Sequence, residues 1–243
     1  MSIETDIGKQ KRYDRLVRAR QEYDPTALGL VNPSRVDGGT YDAPHMGPWT
    51  RWAHDLNADL MVIGQDWGDE AYFRANDGLD KLTNPTNKTL RVLLDGVGRQ
   101  IPAPPQRDAD TSDEESRAMC GIYLTNALLW LKSGGLSAPV SDSWFGDAAV
   151  PFLKEQIEIV RPRVIVALGQ RAYDCVLRAY GLRPHKGPFR LAVEDRNGVA
   201  LPLDGQSTRL LAVYHCGTRI RNTLREMDEQ MRDWQRVADA LSA

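Results

Sequence analysis

Four short apolar runs constrain this chain more than any other feature: LMVIG (60–64), GIYLTN (121–126), RVIVALG (163–169) and RLLAVYH (209–215). Each is rich in β-branched residues and nearly continuous rather than alternating, the pattern of strands covered on both faces. Between them lie helical patterns. Asn84 to Val97 carries an apolar face behind capping residues, Phe145 to Val160 repeats apolar residues at three and four, and Gln170 to Tyr180 follows the third run at once. Strand, helix, strand in this order predicts right-handed crossovers and a parallel sheet with helices on both sides, an α/β fold.

The remaining segments are read around that frame. Arg221 to Leu241 predicts one long amphipathic helix, rich in charge pairs and lying on the outside. FRLAVEDRNGVALPL (189–203) places Asn197-Gly198 between two apolar runs, a hairpin signal. The proline-rich and then acidic stretch 102–116 is expected to form an exposed, mobile loop. Residues 1–45 hold a charged helix and a Gly/Pro-rich segment, expected to wrap as an extension on one globular unit, 46–243.

Composition narrows the classes of function. The longest apolar runs are five or six residues, too short to span a bilayer, and MSIETDIGKQKRYDR has no apolar signal core. The expectation is a cytoplasmic protein with no membrane partner. A formal charge of −2 gives no global argument for nucleic acid, although a local basic face suffices for phosphate contact. Cys120, Cys175 and Cys216 are scattered and odd in number, which argues against a disulfide framework and against a four-thiolate zinc or iron–sulfur site.

Chemistry in open parallel sheets collects beyond the carboxyl ends of the strands. The first run ends in Gly64-Gln65-Asp66-Trp67-Gly68, the second in Thr125-Asn126, the third in Gly169-Gln170 and the fourth in His215-Cys216-Gly217. Any one of these residues has an ordinary reading: Asp or Asn as a helix cap or turn former, His as a satisfied core residue. An acid, an amide and a histidine at one sheet edge carry more weight together. No G-x-G-x-x-G follows the first run, and the chain has no phosphate-binding G-x-x-x-x-G-K-[ST], no H-E-x-x-H and no G-x-S-x-G. The expected site uses an acid, an amide and a histidine, with no metal and no cofactor.

Those residues resemble a known family. GQDWGD (64–69) looks like the first motif of the uracil-DNA glycosylase superfamily. YLTNALLWLK (123–132) resembles its segment carrying the uracil-reading asparagine, VIVALGQRAYDCVL (164–177) its third strand and following helix, and YHCGTRIRN (214–222) its histidine motif and DNA-intercalating loop. Order and spacing agree from about residue 58 to 225. The resemblance implies a single three-layer α/β/α domain with a short, mainly parallel four-stranded sheet, acting as a monomer on DNA that contains uracil or related damaged bases. It implies that Asp66 stabilises an oxocarbenium-like sugar and orients or deprotonates water, while His215 hydrogen-bonds the charge growing on uracil O2. Asn126 would read O4 and N3–H of a base flipped from the stack, with Gln65 and Gly68 completing the base pocket.

The chain departs from the family pattern in places. Cys216 and Gly217 stand where the family has proline and serine, leaving Thr218, Arg219 and Arg221 as the DNA-contacting candidates, with Arg219 as the wedge. No aromatic residue stands at the usual position for stacking on the base, so Trp67, Tyr72 and Phe73 are the candidates. Gly68 resembles the mismatch-specific branches, and the cysteine count excludes the iron–sulfur branches. The function expected is a uracil-DNA glycosylase of base excision repair, with other damaged bases as further substrates. Two alternatives stay open: a uracil-DNA binding protein of the same fold with little turnover, and a nucleoside hydrolase.

Overall fold

In the computed structural model, which describes residues 5–103, 113–146, 148–203 and 205–243, all four apolar runs are strands. They are β1 (Leu60–Gly64), β2 (Ile122–Asn126), β3 (Val164–Leu168) and β5 (Gln206–Val213), with β4 (Val199–Leu203) added at one edge. The order is β2-β1-β3-β5-β4, parallel throughout except for β4, which runs antiparallel to β5. The sheet therefore has five strands, not four.

Residue parity along the strands sorts the core into two layers. Met61, Ile63, Tyr123, Ile165 and Ala167 face one side, where α1 (Asp6–Glu22), α5 (Ala149–Val160) and α6 (Gln170–Ala179) cover them. Leu60, Val62, Leu124, Val166 and Leu211 face the other, against α3 (Pro85–Asp95) and α9 (Met227–Ser242). Every residue of β1, β2 and β3 is buried, which explains why these runs show no alternation. The short helices α2 (Glu70–Ala75), α4 (Glu114–Ala118), α7 (Phe189–Glu194) and α8 (Thr218–Thr223) fill the connections.

The extra strand corrects the expected hairpin. Phe189 to Glu194 is helical, and from one face of that turn Phe189, Ala192 and Val193 pack inward. Asn197-Gly198 (φ +61° at Gly198) instead starts β4 from a helix. The true hairpin joins β4 to β5, with Leu203 opposite Gln206 and Gly205 at φ +69° between them. The single C-terminal helix is corrected as well: α8 stops at Thr223 and α9 starts at Met227. Glu226 and Glu229 form a capping box there, and Arg225 in the break folds back onto Asp233 at 2.8 Å. Trp234 and Val237 of α9 are buried under the sheet, so only its outer face meets solvent.

Tyr13, Leu16, Val17 and Leu30 of the N-terminal segment belong to the same core cluster as β1 and β3. Arg20, fully buried, pairs with Asp42 at 2.6 Å and donates to the carbonyls of Ala43 and His45, fastening the chain that leads toward β1. The loop expected over 102–116 falls mostly outside the described residues; its end, from Glu114, is helix α4.

Candidate active site

The strand order reverses direction around β1, with β2 on one side and β3 on the other, and this creates the crevice where α/β sheets bind ligands. A cleft of about 660 Å³ lies there, lined by Gln65 and Asp66 beyond β1, Gly169 beyond β3 and His215 beyond β5. Three of the expected groups thus meet because three parallel strands end together.

Asp66 is held from two sides. Gln65 Nε2 donates to its Oδ1 at 2.8 Å, and Lys132 Nζ lies 3.1 Å from its Oδ2. Its side chain is 12% exposed and that of Lys132 only 5%, so the pair sits at the wall of the cleft with one carboxylate edge open. Lys132 arrives because the loop after β2 follows the loop after β1. Ala127 N–H donates to Gly64 O, Leu128 N–H to Gln65 O, and Glu70 N–H to Lys132 O.

His215 is partly buried. The Gly217 N–H donates to its Nδ1 at 3.0 Å, so the neutral ring carries its proton on Nε2, as a donor. Burial lowers the His215 pKa from 6.5, while the charge of Asp66 pulls it back up. The ring is therefore neutral at physiological pH. Gly217 is the residue that permits the contact, since a Cβ there would lie 2.9 Å from Nδ1.

Asn126 lies beside the cleft rather than in its wall. It is 3% exposed, and its Oδ1 is buried without a hydrogen-bond partner. Register with Gly64 sets its position. A Cβ on Gly64 would come within 2.2 Å of Asn126 Oδ1 and 2.8 Å of Trp49 Cζ3, so both side chains crowd the space over that glycine. An unmet buried acceptor costs about 1–3 kcal/mol, which an N–H of a bound molecule would recover.

The aromatic candidates separate. Phe73 is buried in a small core with Val36 and Leu131, away from the cleft. Trp67 reaches the cleft but belongs to the same core and packs edge-on against Phe73, with centroids 6.0 Å apart. Tyr72 lines the cleft, and its hydroxyl donates to Asp80 Oδ1 at 3.0 Å. Trp49, outside the sequence candidates, also lines the cleft and donates Nε1 to Asp80 Oδ2 at 2.9 Å and to Asn87 Oδ1 at 3.0 Å. Asp80 thus anchors two aromatic walls. Burial raises its pKa, against the pull of its hydrogen bonds from Asn87, Tyr72 and Trp49.

Gly68 lines the cleft, yet the space beside it is not empty. A Cβ there would meet Leu136 at 3.1 Å and Tyr72 at 3.5 Å, and the backbone sits at φ +119°, where side chains are strained. Its glycine is a backbone requirement first. Of the DNA-contacting candidates on α8, Arg219 lines the cleft and is exposed, as is Thr218. Arg221 turns back instead, its Nη1 donating to Thr89 Oγ1 at 3.4 Å.

Lys132, Trp49, Asp80 and Arg171 escaped sequence reasoning. Lys132 had a signal: it is the lone charge closing the apolar run YLTNALLWLK, and a lysine buried to 4% exposure needs a partner. Arg171, one residue into α6, joins Asp142 at 2.7 Å and reaches Gln65 Oε1 at 3.5 Å.

No curated protein matched this chain closely enough to count as a relative. The sequence pattern of the Uracil DNA glycosylase superfamily matches residues 52–238, which takes in the whole sheet and every group described around the cleft except Trp49. Membership carries glycosylase-type chemistry in general, and with more than half of the chain matched the conclusion is direct: this protein belongs to the uracil-DNA glycosylase superfamily.

Proposed function

We propose that this protein hydrolyses the N-glycosidic bond of uracil in DNA, leaving an abasic site for base excision repair. The observation that carries the reading is the pairing of Asp66 with a neutral, Nε2-protonated His215 across one cleft. Bond cleavage makes a cationic sugar and an anionic base. Asp66 supplies negative charge to the sugar side and accepts a proton from the attacking water, while His215 donates to uracil O2 as charge gathers there. A neutral donor suits that role, because its hydrogen bond strengthens as the base becomes anionic. The two donors on Asp66, Gln65 and Lys132, fix its orientation before substrate arrives.

Asn126 supplies the specificity. Its unpaired Oδ1 suits the N3–H of an imide edge, which cytosine lacks, and the base meets it beside the Trp49 ring. Arg219 at the exposed rim suits a wedge that holds the extruded nucleotide. The chemistry requires no metal, and we assign none to this cleft.

The test is release of uracil from single- and double-stranded oligonucleotides carrying one uracil, read as alkali-cleaved product on a gel. Product with the wild-type chain and its loss with Asp66→Asn are expected. Tight binding without product would make the chain a uracil-DNA binder. Turnover only of free nucleosides, insensitive to salt, would make it a nucleoside hydrolase, since only a DNA-binding enzyme loses affinity steeply with ionic strength.

A further inference from the structure

At the opposite end of the sheet, where β1 and β2 begin, three side chains from separate segments converge. His45 ends the N-terminal extension, His54 precedes β1, and Glu114 opens α4 on the way into β2. Their ligand atoms all lie within 4.8 Å of one another. His54 Nε2 is 3.1 Å and His45 Nε2 3.9 Å from the same Glu114 oxygen, and the two rings lie 4.4 Å apart, tilted by 32°. We propose that His45, His54 and Glu114 bind one divalent first-row cation of the zinc class.

Hydrogen bonding accounts for only part of this arrangement. One imidazole N–H reaches the Glu114 oxygen at 3.1 Å, but 3.9 Å is too long for the second. A single cation accounts for all three groups. Bonds of about 2.0–2.1 Å at tetrahedral angles place ligand atoms roughly 3.4 Å apart, between the two observed separations. Two imidazoles and a carboxylate form a donor set suited to zinc and its neighbours.

The surroundings agree. The far nitrogen of His45, Nδ1, lies 3.4 Å from the Tyr13 hydroxyl, the outer hydrogen bond that orients a metal-bound imidazole. The cluster opens on a cavity of about 340 Å³, leaving a fourth position for water. Four carboxylates, Asp6, Asp14, Asp55 and Glu114, line that cavity against one lysine, Lys9. That balance stands against three nearby guanidinium groups, Arg51, Arg117 and Arg20, the last of which already has Asp42 as its counter-ion. Bound there, a cation would tie the N-terminal extension to the segment entering β2. Five-residue strands separate it from the catalytic cleft by about 17 Å.

The full chain is stripped with a chelator, dialysed against zinc and assayed for metal per chain, with cobalt as a spectroscopic probe of four-coordinate geometry. One zinc per chain, the visible bands of tetrahedral cobalt and a rise in melting temperature on adding zinc are expected. Glu114→Gln should weaken binding roughly tenfold or more and abolish the thermal shift. Its side chain is 48% exposed, so the variant should melt as the wild type does without metal. His54→Phe, which removes a second ligand from another segment, should likewise lose stoichiometric zinc binding. Failure to bind zinc stoichiometrically, or equal binding by wild type and Glu114→Gln, overturns the proposal.

Discussion

Replacing Gly64 by alanine adds one methyl group at the point where the Asn126 amide, proposed to read the base, and the Trp49 ring meet. The new Cβ would lie 2.2 Å from Asn126 Oδ1, while ordinary contact begins near 3.4 Å, so the amide must retreat by 1.2 Å. Trp49 Cζ3, at 2.8 Å, must give by 0.6 Å. Overpacking of this kind costs about 1–3 kcal/mol of stability, which the chain should survive. The catalytic cost is larger in proportion, because a misplacement of about 1 Å in a positioning group lowers turnover roughly 10²-fold, or about 2.7 kcal/mol of barrier. Single-turnover uracil release from an oligonucleotide, alongside a denaturant melt, separates the two effects. Combining Gly64→Ala with Asn126→Ala provides the control. With the amide gone the methyl has less to displace, so the double variant should be little slower than Asn126→Ala alone. A folded Gly64→Ala variant that releases uracil at the wild-type rate would show that Asn126 does not read the base.

Asp66→Asn should retain DNA binding and lose roughly two or more orders of magnitude in single-turnover rate, as expected for removal of a general base or a stabilising charge. Lys132→Met leaves the Asp66 carboxylate without its cation; we expect a loss of about 1–3 kcal/mol in urea melts, below the cost for a fully buried pair, and partial recovery when Asp66→Asn is added. Trp49→Leu should lower uracil turnover more than it lowers stability, whereas Phe73→Leu, in the separate small core, should do the reverse; equal behaviour in paired melts and rate assays would remove Trp49 from the base pocket. The pH profile follows from His215. An unfolded ring protonates near 6.5 and the folded one only at lower pH, so between the two the unfolded state binds more protons, and stability falls as pH drops. Turnover, so far as His215 governs it, should be level from about pH 6.5 to 9 and fall in acid; a decline as pH rises through 6–7 would mean that the protonated ring is the active form.

Much of the fold was legible because fully buried strands leave a strong trace. LMVIG and VIVAL are apolar at every position since both faces of β1 and β3 are covered. The edge was harder. β4 reads VALPL, with buried, exposed and intermediate positions mixed, and its proline is tolerated because an edge strand needs fewer ladder donors. Phe189 to Glu194 is too short for periodicity to separate helix from strand, and there the hairpin signal of Asn197-Gly198 misled. The C-terminal break was invisible for another reason: its cause, Arg225 folding back onto Asp233, is a contact between residues whose charges also suit one unbroken amphipathic helix.

The site divides along the same physical line. Asp66, Asn126 and His215 could be read because each stands at or within two residues of a strand's carboxyl end, and a parallel sheet brings those ends together without further information. Trp49 stands eleven residues before β1, in irregular chain whose path is set by Arg20 and Asp42, and no local pattern reports that route. The same holds for His45 and His54, which approach Glu114 across the entry to the sheet. Positions fixed by strand termini follow from one-dimensional order. Those fixed by long-range ion pairs require the folded chain. Lys132 lies between the two cases: it hangs on the β2 loop, whose backbone hydrogen bonds to the β1 loop decide its position, but its burial in an apolar run already demanded an anion. Asp66 was the carboxylate already placed at the neighbouring strand end, so the ion pair was implied by two features that each stood in the sequence and had not been joined.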